Sequence, residues 1–197
     1  MPGKPNKVAK QPKAYQLKVT LRWVRPSVWR RIVVRSDMNL EDFHEILQTV
    51  MGWTNNHMHG FNLVEKRRGA SGDQRQVERD QQRRVRLFEF LKKPKDLLMY
   101  EYDFGDGWEH EVLLESVADH ERGARYPWVL DGKRACPPDD VGGVSGYAHF
   151  LSVLANPRHP EHEEMLEWCG GSFDPKHVDI QALNRAFHRG WAPAGCP

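Results

Sequence analysis

The sequence predicts an α+β domain: an antiparallel sheet with an early helix and a C-terminal group of helices packed on one face. Three observations predict it. Apolar residues recur at every second position in residues 15–23, 28–35 and 57–63, and again on both sides of a Gly-Asp-Gly turn at 105–107. They recur at helical spacing once early, over 40–51, and then through the last third of the chain. Strands therefore come first and helices last, with one helix inserted among the strands.

Taken in order, residues 1–14 hold Lys4, Lys7, Lys10 and Lys13 with three prolines and little apolar content. Such a segment cannot offset its ordering entropy, so a disordered basic arm is expected, followed by a single domain over 15–190 and a tail over 191–197. Tyr15, Leu17, Val19, Leu21 and Trp23 share one face of a first strand, which Pro26 and Ser27 break. Val28, Arg30, Ile32 and Val34 share a face of a second strand returning antiparallel to it. The helix over 40–51 has Asn39 as N-cap, Met38 and Phe43 as a hydrophobic staple, and Gly52 as its left-handed stop. After Trp53 a third strand would place His57, His59, Phe61 and Leu63 on one face. Residues 66–84 are polar and contain Gly69 and Gly72, which predicts a basic mobile loop. A short helical turn at 87–91 ends before Pro94.

The hairpin over 100–114 is the centre of the chain. Tyr100, Tyr102 and Phe104 lie at period two, as do Trp108, His110, Val112 and Leu114. A loop of Gly105, Asp106 and Gly107 would set Phe104 opposite Trp108 and Tyr102 opposite His110. Residues 115–143 read as irregular, with Cys136-Pro137-Pro138 fixing backbone and Gly142-Gly143 bending it. Three helices follow, expected to start at the Ser145 cap, at Pro160 as N1, and at the Asp179 cap, the last stopping at Gly190.

The net charge of +2 conceals two basic segments. Residues 1–14 carry four lysines and no acid, and residues 66–86 carry eight Lys/Arg against three Asp/Glu, so together they hold +9 and the remainder −7. A basic arm and loop, with Lys4, Lys7, Lys10, Lys13, Arg67, Arg68, Arg83 and Arg84 as the contacting cations, would meet DNA or RNA. No apolar run approaches the roughly 20 residues a membrane helix needs, and the N-terminus lacks an apolar leader, so a cytoplasmic protein without a membrane partner is expected. Three widely spaced cysteines form neither a disulfide framework nor a thiolate zinc site.

Several ordered blocks carry a family resemblance: Trp29-Arg30-Arg31, Phe43-His44, Gly52-Trp53, 57–61, 100–110, 136–143 with Gly146-Tyr147, 162–168 and Phe173-Asp174-Pro175. Over about residues 15–189 the chain resembles the plasmid pRiA4b ORF-3-like proteins, some of which carry a resolvase or insertion-element passenger label. The resemblance implies an α+β domain of bacterial or archaeal, often mobile-element, origin, and brings no established activity. A recombinase mechanism does not fit the residues. Ser27 and Ser36 lack the clustered arginines of a serine recombinase, and the last tyrosine, Tyr147, lies too early for a C-terminal tyrosine nucleophile.

The candidate ligand-binding residues are His57, His59, Tyr102, Asp106, Trp108 and His110. His57, His59 and His110 are donors that zinc or another transition metal accepts, if the three rings converge; packed core histidines beneath Trp53, Phe61 and Trp108 are the alternative. By period two Asp103 points away from His110, and Asp106 serves first as a turn residue. Cys136 reads as a small buried residue, since a reactive thiolate needs a cationic neighbour or a helix N-terminus. Gly142-Gly143 lacks the lysine of a phosphate cradle, and His162-Glu163-Glu164 lacks the second histidine of a zinc-protease helix. The leading expectation is a non-enzymatic accessory or binding domain associated with nucleic acid. The alternatives are a metal-dependent enzyme built on the histidine cluster and a protein-interaction module acting through the acidic body.

Overall fold

The computed structural model describes residues 11–64, 74–77 and 81–188. The first strand, β1 (Lys13–Leu21), pairs antiparallel with β2 (Trp29–Arg35), Leu17 opposite Ile32 and Val19 opposite Arg30. β1 begins at Lys13, inside the segment predicted as a disordered arm. It stops before Trp23, whose φ of 65° turns the indole out to solvent under the Arg22 guanidinium, 4.4 Å from the ring centre. Helix α1 (Leu40–Met51) follows the predicted boundaries: the Asn39 side chain accepts from the Asp42 amide at 2.7 Å and Gly52 closes it at φ 81°.

β3 (His59–Val64) then pairs with β4 (Gln74–Val77), a strand inside the stretch predicted as a mobile loop. Val77 is the apolar residue that β4 buries, so the strand completes a ladder without showing an alternating pattern. After α2 (Leu87–Phe90), β5 (Leu97–Tyr102) and β6 (Trp108–Asp119) form the central hairpin, and β7 (Trp128–Lys133) comes next. Residues 115–143 were expected to be irregular; 120–127 and 134–142 are, but β6 continues to Asp119 and β7 occupies 128–133. The end of β6 is exposed while it pairs with the start of β1, and a register shift at Arg31/Ile32 interrupts the β2–β7 ladder, so neither segment alternates cleanly. Helices α3 (Gly143–Leu154), α4 (His162–Trp168) and α5 (Ile180–His188) finish the described chain. α3 starts from a left-handed Gly142 rather than Ser145, and α4 from Glu161 rather than Pro160. Asp179 caps α5 as expected, accepting from the Ala182 amide at 2.8 Å.

All seven strands join one antiparallel sheet in the order β4-β3-β5-β6-β1-β2-β7. One face is apolar: Leu17, Val19, Ile32, Val34, Leu98, Val112 and Leu114 are fully buried there. α1 lies on it, with Phe43 stacked on Phe61 and Gln48 donating to the Tyr100 hydroxyl at 2.8 Å. At the β7 edge Asn184 of α5 accepts from Val129 N and donates to Val129 O, as a neighbouring strand would, which covers that part of an edge otherwise open to pairing. The other face is polar, with Arg31 held in a fork by Glu115 and poised over Trp29. Among the described residues no helix is long and apolar enough to cross a membrane.

Candidate functional site

The site begins at the turn between β5 and β6. Asp103 takes φ 54°, its Oδ1 accepts from the amides of Gly105 and Asp106 at 3.0 and 3.3 Å, and Gly107 N donates to its carbonyl at 2.6 Å. The turn therefore spans 103–107, two residues longer than expected, and moves the register. Tyr102 lies opposite Trp108 and Tyr100 opposite His110, while Phe104 points to solvent.

His57, His59 and His110 do not form one centre. His110 is fully buried, with Nδ1 3.3 Å from the Tyr100 carbonyl and its ring edge-on to Trp53 at 5.2 Å. Trp53 stacks on Tyr102 at 4.8 Å, and His57 meets the far edge of this series, 5.8 Å from Tyr102. His59 turns the other way: its Nε2 is 2.8 Å from Gln82 Oε1 and its ring stacks on His44 at 3.5 Å. The physical reason is that β3 begins at His59, so strand alternation does not extend back to His57. His44, which the sequence reading left out, joins the Tyr100 hydroxyl and Asn55 at 2.8 Å each and ties α1 to the sheet.

Burial pushes the His110 pKa down from 6.5 to about 4, partly offset by the carbonyls of Tyr100 and Trp108. With the folded pKa below the unfolded one, protonation favours unfolding. Its contribution is fully present above about pH 6.5 and is lost as the pH falls toward 4, by about 3 kcal/mol. His110→Phe should therefore flatten the acid limb of stability between pH 7 and 4 in denaturation curves. An unchanged limb would assign that titration to another group.

Three segments meet beside the hairpin turn. Trp53 Nε1 donates to Pro137 O at 2.9 Å, and Thr54 donates through N and Oγ1 to Asp139 Oδ2, so the 136–143 loop is fastened to the α1–β3 connection. Gly142 N donates to Asp106 Oδ2 at 3.2 Å, which fastens the same loop to the turn. Asp106 thus acts as a clamp through Oδ2. The result places Asp140 Oδ1 3.2 Å from His57 Nε2 and Asp103 Oδ2 3.8 Å from His57 Nδ1. One donor atom from each of His57, Asp103 and Asp140 lies within 4.8 Å of the others. Asn55, Asp103 and Asp140 all hold positive φ here, a backbone state that Asn and Asp tolerate better than other side-chain-bearing residues and that bends all three segments at the corner.

Residues 13–182 match the plasmid pRiA4b ORF-3-like protein family. The chain belongs to that family. Its relatives include the uncharacterized protein y4hQ of Sinorhizobium fredii, 40% identical over 173 residues, or 87% of this chain and 89% of that one. They also include a protein of unknown function from Methanosarcina mazei Go1, whose crystal structure superposes with a TM-score of 0.78 at 34% identity, covering 88% of this chain and 98% of that one. The family likeness covers every segment of the corner just described.

Three polar side chains of this corner are buried with hydrogen-bonding capacity left over: Asp139 Oδ1 and Trp108 Nε1 have no partner, and the Tyr102 hydroxyl, which faces the backbone amides of Asn56 and His57, has no acceptor for its proton; His57 Nε2 meets Asp140 Oδ1 at 3.2 Å. Burial raises the Tyr102 pKa, and the Asp139 carboxylate adds to it, against the backbone amides of Asn56 and His57. Cys136 is inert: burial pushes its thiol up to about 11 despite Arg30 Nη2 at 3.2 Å. Of the candidate nucleic-acid cations, Lys13 pairs with Asp119, Arg83 pairs with Glu41 at 2.6 Å, and Arg84 is exposed. Lys4, Lys7, Lys10, Arg67 and Arg68 lie outside the described residues.

Proposed function

We propose that this chain is an accessory domain that acts by binding, with the corner formed by the α1–β3 connection, the 103–107 turn and the 136–143 loop as its ligand site. One observation carries the reading: Asp139 Oδ1 and Trp108 Nε1 lack partners, and the Tyr102 hydroxyl proton lacks an acceptor, around the same turn. A buried polar group left unsatisfied costs about 1–3 kcal/mol, so a fold that gathers three of them gains from a ligand or ordered water that satisfies them. The high thiol pKa of Cys136 argues against covalent catalysis through that residue. Hydrogen exchange on the whole protein, with and without a panel of metal salts and small polar molecules, tests the assignment. Protection should rise in 53–57, 102–107 and 139–143. Protection confined to the polar sheet face would overturn it.

A second reading, association with DNA or RNA, rests on the +9 held by residues 1–14 and 66–86 and on the exposure of Arg84. Retention of nucleic acid on filters should be sequence-tolerant and fall steeply with salt. It should weaken strongly when Arg67, Arg68, Arg83 and Arg84 are neutralised together. Absence of retention at low salt would remove this reading.

A further inference from the structure

We infer that the corner is a divalent-cation site, with His57, Asp103 and Asp140 as its protein ligands and a first-row transition ion such as Zn²⁺ or Mn²⁺ as its occupant. The inference rests on the binding reading above and assigns the chemistry of the ligand. Its starting point is the convergence of one imidazole nitrogen and two carboxylate oxygens within 4.8 Å of one another. Two carboxylates balance the charge of a dication, and a mixed nitrogen and oxygen donor set without thiolate suits Zn²⁺, Mn²⁺ or Fe²⁺.

The donors are oriented before any ion arrives. Asp103 has its Oδ1 held by the amides of Gly105 and Asp106, which leaves Oδ2 directed at His57. Asp140 sits between Asp139, anchored on Thr54, and Gly142, anchored on Asp106, so its backbone is fixed on both sides while its side chain stays 72% exposed. His57 is the shared neighbour of both carboxylates.

An independent observation comes from beneath the cluster. Tyr102 is fully buried and its ring packs against His57; its hydroxyl oxygen faces the backbone amides of Asn56 and His57, while its proton has no acceptor in hydrogen-bonding geometry although the Asp139 and Asp103 carboxylates act on it. A tyrosine donor left over next to two carboxylates and an imidazole is placed to hold a water bound to the ion, and Asp139 Oδ1, also without a partner, is placed to do the same. Metal–ligand bonds of about 2.0–2.2 Å bring tetrahedral donors to roughly 3.4 Å apart, and Asp140 and Asp103 approach opposite ring nitrogens of His57, so on loading one carboxylate must swing to the nitrogen that binds the ion, a movement open to the exposed Asp140 side chain.

The test uses the full chain, stripped with chelator and titrated calorimetrically with ZnCl₂ and with MnCl₂. One equivalent of at least one of the two ions should bind, and His57→Ala and Asp103→Asn should each weaken that binding by about tenfold or more. Asp140→Asn changes an exposed side chain and keeps the fold, checked by circular dichroism, so its expected loss of affinity reports ligation alone. Cobalt(II) should give visible d–d absorption that Asp140→Asn diminishes. No stoichiometric uptake of either ion, or uptake unaltered in His57→Ala and Asp140→Asn, would overturn the inference and leave His57 as a bridge between two carboxylates. A small organic molecule that protects the corner without metal uptake would overturn the cation assignment and support the binding reading. Failure of every ligand to protect it would overturn both.

Discussion

Arg30→Met should destabilise the fold by about 2–4 kcal/mol, and Arg30→Lys should recover little of that loss. Arg30 lies on the buried face of β2 with only 3% of its surface exposed. Its guanidinium donates to Val50 O at 2.9 Å, Trp29 O at 2.9 Å and Lys133 O at 3.2 Å, and reaches Cys136 Sγ. Val50 lies in the last turn of α1, which has no basic residue of its own, so Arg30 supplies the positive charge that helix end favours. Three bonds to a charged donor are worth about 1.5–3 kcal/mol each, while the desolvation relieved by deleting the charge returns several. The difference stays unfavourable because methionine fills the stem but removes a charged donor from three carbonyls. Lysine presents a point charge where a planar fork is needed. The stem runs across Gly132, where an added Cβ would come within 2.9 Å of Arg30 Cδ, so the opposing strand is shaped around it. A urea titration should show a lower midpoint with an unchanged slope, while Arg83→Met, at an exposed ion pair, should leave the midpoint nearly where it was. A midpoint for Arg30→Met equal to wild type would mean that the carbonyls find other donors.

Much of the fold was legible because local chemistry agreed with the tertiary outcome. Asn39 and Gly52 bound α1 at the residues their side-chain and backbone preferences indicate, and Val28, Arg30, Ile32 and Val34 all point inward as alternation requires. β4 was not legible, because its pairing to β3 supplies what its own polar sequence does not signal. The hairpin residues were legible and their register was not: it depends on Asp103 entering the left-handed region and capping its own turn. The same is true of the site. His57, Tyr102, Asp106 and Trp108 were visible as polar or aromatic residues near a turn. Asp140 was not, since it reaches His57 only because Thr54 and Asp106 dock a distant loop. The signal that pointed there was rigidity, two prolines and two glycines enclosing Asp139 and Asp140.

That docking makes Gly146→Ala the most informative substitution in the C-terminal region. Gly146 lies in the first turns of α3, where exchanging glycine for alanine ordinarily stabilises a helix by about 1 kcal/mol. Here the sign should reverse. An alanine Cβ would stand 1.9 Å from the Val141 carbonyl oxygen and 2.8 Å from its carbon, both backbone atoms. Since real Cβ contacts essentially never fall under 3.0 Å, the gap must open by about 1.1 Å, the difference between 3.0 and 1.9 Å. The carbonyl cannot retreat alone, because Gly142 is tied to Asp106 and Gly143 already passes so close that an added Cβ there would meet the Asp106 carbonyl oxygen at 2.5 Å. Either α3 unwinds at its start or the 136–143 loop lifts from the hairpin turn. Both routes separate Asp140 from His57. The expected cost is about 2–4 kcal/mol in urea denaturation, typical of overpacking that backbone must absorb. The lifted loop should also raise hydrogen exchange in 53–57 and 139–143. A Gly146→Ala protein as stable as wild type or more so, with unchanged exchange at both segments, would show that helix propensity outweighs the contact and that the loop is free to move.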